Sequence, residues 1–228
     1  MPLPRSLPFV ERGRLITIEG IDGAGKTTLA ATLEPALAAR GVDVLTLREP
    51  GGVAVAERIR ALVTDPELEI DGRAEALLYA AARAQLVAEL LEPTLAEGRS
   101  VLLDRFVDSS LAYQGAGRAL GVEQVRQINQ FATGGLTPDR TLLLRIDPSL
   151  GRARTHERPL EPDRLEREGQ PFFARIDAGY RTLARSAPER VRVLDASLSA
   201  AELAEAALAE ITDLWAGIGR PGRLRSEG

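Results

Sequence analysis

The sequence contains no cysteine, so no disulfide can staple the chain and no thiolate can hold a metal, which fits a reducing compartment. It also lacks an apolar run near the ~20 residues that a membrane span requires. Met1–Gly13, with three prolines and no apolar core, does not read as a signal peptide. A cytoplasmic, membrane-free protein is expected. Excess positive charge is missing too. A net charge of −4 leaves no electrostatic footprint for a nucleic-acid backbone, so any anionic ligand must be held by a local cluster of arginines and backbone amides. Histidine occurs once, as His156, and lysine once: of 29 basic side chains only Lys26 is not arginine. The arginine bias reads as a codon effect without functional content, which makes Lys26 the exception to explain.

What is present fits one α/β core. A chain of 228 residues with 44% apolar content can bury a single sizeable core. Five β-rich runs, Leu15–Glu19, Val42–Leu47, Val101–Asp104, Thr141–Ile146 and Val191–Leu194, alternate with helical stretches. That alternation predicts a five-stranded parallel sheet with helices on both faces. The runs are almost wholly apolar, as strands buried on both sides are. Ala74–Leu91 and Ala200–Trp215 carry apolar residues at helical spacing. One domain over residues 14–216 is expected, flanked by weakly ordered tails at 1–13 and 217–228. Arg152–Gly169, dense in charge and broken by Pro159 and Pro162, predicts a short mobile surface segment.

The first strand runs into Gly20-Ile21-Asp22-Gly23-Ala24-Gly25-Lys26-Thr27, which satisfies G-x-x-x-x-G-K-[ST] between a strand and a helix. Glycines let successive backbone N–H groups turn inward on phosphates, and the helix N-terminus behind adds partial positive charge. Lys26 supplies a compact ammonium between β- and γ-phosphates, and the Thr27 hydroxyl is a ligand for Mg²⁺. The competing reading is a chance Gly-rich turn. Were lysine retained at random among 29 basic positions, this place would be hit once in 29. A need for a point charge that a planar guanidinium cannot meet explains it directly. Val101–Asp104 has the form of a second nucleotide motif, an apolar strand ending in a carboxylate for Mg²⁺, although Asp104 alone could merely cap a helix.

Several segments together resemble the bacterial thymidylate kinases: Gly20–Thr28, Arg48-Glu49-Pro50-Gly51-Gly52, Tyr79–Arg83, Asp104-Arg105 and Asp108-Ser109-Ser110-Leu111-Ala112-Tyr113-Gln114-Gly115. The resemblance runs from about Leu15 to Leu214 and implies a P-loop kinase fold with a lid at about 152–169. It implies ATP and dTMP as substrates, Mg²⁺ with ATP, and a homodimer. By the same resemblance Gly20 to Thr28 bind ATP, including Ile21, Ala24 and Thr28. Arg105 clamps the acceptor phosphate while touching the donor, and Arg48, Glu49 and Arg60 line the dTMP pocket. Tyr79 and Arg83, four apart on one helix face, stack on the base and meet its carbonyl edge. The family often has phenylalanine at position 79, so the Tyr79 hydroxyl needs a partner. Ser109, Ser110 and Gln114 fall at base-contacting positions, and Tyr113 at the residue that crowds the sugar 2′ position.

Some members carry an arginine inside the phosphate loop, at the position of Gly23. Others carry their cations in the lid, as Arg152, Arg154 and Arg158 would here. His156 lies among them without a catalytic part. No general base is nominated, because the acceptor is an already anionic phosphate oxygen. Asp22 is read as orienting the acceptor or a water on Mg²⁺. Bland readings remain for single residues: Arg60 as a solvated helix residue, Glu49 as a loop carboxylate, Tyr79 as a core aromatic, the lid arginines as a charged helix. A kinase for another nucleoside monophosphate is the runner-up. A switch GTPase is disfavoured, because an Asn-Lys-x-Asp motif needs a second lysine and Lys26, in the phosphate loop, is the only one.

Overall fold

The computed structural model describes residues 11–156 and 163–216. Expectations for the tails beyond them, and for Arg158, lie outside the described residues. In chain order the elements begin with β1 (Leu15–Glu19), α1 (Lys26–Ala38), β2 (Val44–Arg48), α2 (Ala54–Thr64) and α3 (Gly72–Leu86). A π-helical turn (Val87–Leu91) leads into α4 (Glu92–Ala96), β3 (Ser100–Asp104) and α5 (Val107–Ser110). A second π-helical stretch (Leu111–Gly117) precedes α6 (Val122–Ala132), β4 (Arg140–Arg145) and α7 (Pro148–His156). Then come α8 (Gln170–Ser186), β5 (Val191–Asp195), α9 (Ala200–Ala209) and a 3₁₀ turn at Thr212–Trp215.

The five strands form one parallel sheet in the order β2-β3-β1-β4-β5. Each is predicted by an apolar run, β1 to the residue and the others with an end shifted by one or two residues. Strand side chains alternate faces, and the core divides accordingly. Ile16, Ile18, Leu102, Leu142 and Leu144 pack with α1 and α9 on one side. Leu15, Val101 and Leu103 pack with α3 and the Leu91 turn on the other. Burial on both faces is what selects near-continuous apolar strands over alternating ones.

The long helix expected at Ala74–Leu91 begins two residues earlier, because the Asp71 carboxylate accepts from the Arg73 N–H at 2.9 Å and caps it. It also passes through the π turn rather than staying regular to its end. The helix expected at Ala200–Trp215 is capped by Ser199 and Glu202 and breaks after Ala209, with only a 3₁₀ turn beyond.

Chain order reverses at β1: the chain goes outward to β2, returns to β3, then crosses to β4. Ligands of open parallel sheets bind at the carboxyl ends of strands at such a switch. The register aligns Ile18 with Asp104 and Arg48 with Asp104, so Gly20, Arg48 and Arg105 emerge along one edge. Among the described residues no helix is long and apolar enough to cross a membrane.

Candidate active site

The loop after β1 is shaped by backbone geometry that side chains rarely tolerate. Gly20, Gly23 and Gly25 have φ of 140°, 79° and 92°, open to glycine and strained for other residues. A Cβ on Gly23 would lie 2.1 Å from the carbonyl oxygen of Gly151, so α7 rests directly on the loop. Lys26 opens α1, buried, with its ammonium donating to the Ile21 carbonyl at 3.0 Å and 3.8 Å from Asp22. Burial, and next the Arg105 cation, push the Lys26 ammonium down to about 8 against the pull of Asp22. An ammonium held this far from water is stabilised further by a ligand that brings negative charge.

Beside it the Thr27 hydroxyl donates to Asp104 Oδ2 at 2.9 Å. The other carboxylate oxygen, Asp104 Oδ1, is buried with no hydrogen-bond partner. A hydroxyl beside a carboxylate with an unsatisfied oxygen is the donor set that a hard divalent cation takes. The pair fits Mg²⁺.

Arg105 joins the loop to the neighbouring pocket. It has a φ of 72°, a left-handed conformation that costs a non-glycine residue on the order of 1 kcal/mol. Its guanidinium donates to the Gly20 carbonyl (3.2 Å), Asp22 Oδ1 (2.5 Å), Ser109 Oγ (3.1 Å) and the Tyr113 hydroxyl (3.3 Å). It also stands 5.0 Å from the centre of the Tyr113 ring. The Tyr113 hydroxyl donates to Asp22 Oδ2 at 3.0 Å. Burial raises the Asp22 carboxyl, but Arg105 and then Lys26 outweigh it and hold it down at about 2.

The pocket beyond is lined by Asp22, Glu49, Arg60, Tyr79, Arg83, Arg105, Ser109, Ser110, Tyr113 and Gln114. Ten sequence-nominated residues from six parts of the chain thus meet in one cavity. Arg83 is fully buried and donates to Glu49 Oε2 (2.7 Å), Ser110 Oγ (2.9 Å), Asn129 Oδ1 and the Phe106 carbonyl (3.1 Å). Burial pushes the Glu49 carboxyl up despite Arg83. Arg60 reaches the Pro50 carbonyl at 3.0 Å. Gln114 donates to Glu75 Oε1 at 2.8 Å.

Arg48 is not part of that lining: it is exposed and pairs with Glu57 at 3.2 Å. Of the lid arginines, Arg152 lies 5.8 Å from the centre of the Phe173 ring and borders a small cavity with Ile21 and Asp22. Arg154 donates to the Ala196 carbonyl at 3.1 Å. It borders a cleft of about 300 Å³ together with Gly23, Gly25, Thr28, Leu198 and Leu203. The segment beyond α7 is docked where described: Asp163 and Leu165 line the same pocket as Arg83 and Tyr113, and Arg164 pairs with Glu75 at 2.6 Å.

Sequence reading missed several members. Glu19 is fully buried and accepts from Phe106 N (2.8 Å), Ser109 N (3.2 Å), Ser109 Oγ (2.6 Å) and the Tyr180 hydroxyl (2.9 Å). Burial and then Asp108 push its carboxyl up to about 7. Its signal was a charge at the end of an apolar strand, the same signal that singled out Asp104. Glu75 was visible as well, since positions 75, 79 and 83 share one helix face. Thr64 and Asp163 line the pocket without any local pattern to mark them.

The thymidylate kinase family model matches residues 18–207. A thymidylate kinase of Deinococcus radiodurans is 47% identical over 213 residues, 93% of this chain and 100% of the relative. One from Geobacillus thermodenitrificans is 52% identical over 187 residues, 81% and 83% of the two chains. The crystal structure of thymidylate kinase from Ehrlichia chaffeensis superposes with a TM-score of 0.67 at 30% identity, covering 81% of this chain and 87% of that one.

Proposed function

Because the chain belongs to the thymidylate kinase family, we propose the division of labour among its residues that follows. The enzyme transfers the γ-phosphate of ATP to dTMP, giving dTDP and ADP. The observation that carries the assignment of roles is the Arg105 side chain, which bridges Gly20 and Asp22 of the phosphate loop to Tyr113 and Ser109 of the pocket wall. A guanidinium fork at that junction suits two phosphates at once. It would hold the acceptor oxygen near the γ-phosphorus and meet the charge that spreads over the transferring group.

On the donor side the backbone amides from Gly20 to Thr28 and the Lys26 ammonium take the phosphates. The Arg154 cleft takes the donor nucleoside, and Arg152 with Arg158 neutralises the moving charge from the lid. Thr27 and Asp104 would hold Mg²⁺, which, when bound, draws charge from the phosphate oxygens. Asp22 keeps Arg105 and the Tyr113 hydroxyl in place and acts as no base. On the acceptor side Tyr79 stacks on the base, Ser109 and Ser110 shape its pocket, and Tyr113 closes the sugar 2′ position. Arg60 and Glu49 belong to the same pocket, and Arg48 joins only if its Glu57 pair opens.

We assign the homodimer to the face where Leu77 of α3 and Phe131 of α6 stand 56% and 91% exposed, on helices that pack against each other. Analytical ultracentrifugation tests this. The cytoplasm is the compartment that the cysteine-free sequence fits.

A coupled ADP-release screen of nucleoside monophosphates tests the pocket. The expected order is dTMP first, dUMP next, and UMP, dCMP, AMP and GMP far behind. The thymine methyl is worth only about 1 to 3 kcal/mol, so dUMP is a poor substrate and not a dead one. A preference for AMP or UMP overturns the roles given to Tyr79, Tyr113 and Gln114.

A further inference from the structure

Arg83 and Gln114 both line the acceptor-side pocket, and their hydrogen-bonding capacity can be counted. A guanidinium has five N–H donors. In Arg83 four go to Glu49, Ser110, Asn129 and the Phe106 carbonyl. One donor is left for a ligand.

Gln114 has the opposite balance. Its amide nitrogen meets Glu75 Oε1 at 2.8 Å. Glu75 is fully buried at the hub of three donor side chains, receiving Arg118 Nε at 3.3 Å and Nη2 at 3.0 Å and Arg164 Nη2 at 2.6 Å as well. A carboxylate only accepts, so the amide must turn its nitrogen to Glu75 whatever the ligand. Among the described residues nothing donates to Gln114 Oε1. Arg83 and Gln114 between them therefore offer one donor and one acceptor, and the acceptor's direction is set from behind.

We propose that Glu75 is a specificity-determining positioning residue: by pinning the Gln114 amide it presents an acceptor oxygen to the pyrimidine ring and selects rings carrying N3–H. Thymine and uracil have N3–H beside a carbonyl at C4, which matches the acceptor and the free Arg83 donor. Cytosine reverses both, with a bare N3 and an amino group at C4. Mismatch leaves buried polar groups unpaired, the most effective form of rejection. The proposal rests on this cavity being the dTMP pocket.

The test compares kcat/KM for dTMP, dUMP and dCMP in the wild type and in Glu75→Gln. A glutamine at 75 can accept or donate, so the Gln114 amide is free to flip. The dTMP-to-dCMP ratio should fall by roughly tenfold or more, while the dTMP-to-dUMP ratio, which depends on the methyl group, stays as it was. A merely structural role would lower all three in proportion, and that outcome overturns the proposal. Should Glu75→Gln fail to fold, Glu75→Asp keeps the charge for Arg118 and Arg164 but withdraws the carboxylate from Gln114 by one methylene. The same selective loss is expected, and an unchanged dTMP-to-dCMP ratio in that folded variant overturns the idea. A wild type with no preference for dTMP over dCMP refutes the pocket reading itself, before any variant is made.

Discussion

Two glycines of one loop should respond differently to the same added methyl group. Gly23 and Gly25 both have left-handed φ, 79° and 92°, so alanine at either place costs about 1 to 2 kcal/mol of backbone strain. Only at Gly23 would the new Cβ meet something: the Gly151 carbonyl oxygen at 2.1 Å, whereas nothing lies within 4 Å at Gly25. A backbone carbonyl in a helix cannot swing aside as a side chain can. Either α7 retreats or the loop twists, at a further cost of about 1 to 3 kcal/mol. At about 2 to 4 °C per kcal/mol for a chain of this size, Gly25→Ala should lower the Tm by about 2 to 8 °C in the absence of nucleotide. Gly23→Ala should fall further by about 2 to 12 °C. Because α7 carries Arg152, Gly23→Ala should also lose most of its kcat in an ADP-release assay. If nucleotide-free Gly23→Ala melts no lower than Gly25→Ala and turns over normally, α7 does not rest on the phosphate loop.

Other outcomes can be stated briefly. Lys26 and the N-terminal amine are the only primary amines in the chain, so saturating MgATP should suppress amine-reagent labelling at Lys26 and leave the terminus unaffected. Peptide mapping by mass spectrometry reads both, and equal labelling contradicts the loop assignment. Lys26→Arg should cut kcat by about a hundredfold or more despite retained charge. Arg154→Ala should raise KM for ATP by about tenfold, the worth of one charged hydrogen bond, whereas Arg152→Ala should act on kcat; steady-state kinetics with varied ATP separates them. Glu19 has its carboxyl raised to about 7 from 4.5, so the folded state holds a proton that the unfolded chain releases above 4.5. Its stabilising effect is full below that pH and is lost as pH climbs to 7. The Tm difference between wild type and Glu19→Gln should therefore decline from pH 4.5 to 7, and a flat difference refutes the raised carboxyl.

Legibility in the sequence followed the physical range of each interaction. The sheet was readable because burial on both faces writes itself locally as apolar runs. The phosphate loop was readable because its glycines and Lys26 are contiguous. Tyr79 with Arg83 and Ser109 with Tyr113 were found because they lie in short contiguous motifs that resemble those of the thymidylate kinases. What stayed hidden is what tertiary folding joins. Asp163 reaches the pocket from beyond α7, and Asn129 reaches Arg83 from α6. Arg48 shows the converse. Sequence pattern puts it beside the pocket, yet a carboxylate nine residues on, Glu57, holds it outside.

The π-helical stretch Leu111–Gly117 bears on what length changes the enzyme could survive. A π turn is an α-helix that has absorbed one extra residue, and Tyr113 and Gln114 sit inside it, one aimed at Asp22 and the other at Glu75. Removing Leu111 or Ala112 would let the segment relax into regular α-helix, with its ladder of backbone bonds intact. Each later side chain would then swing by about 100° around the axis, carrying Tyr113 and Gln114, to which we assign the sugar and base contacts, away from the cavity together. A single-codon deletion here would leave a stable helix and an enzyme without an acceptor site, so the extra residue is itself part of the catalyst.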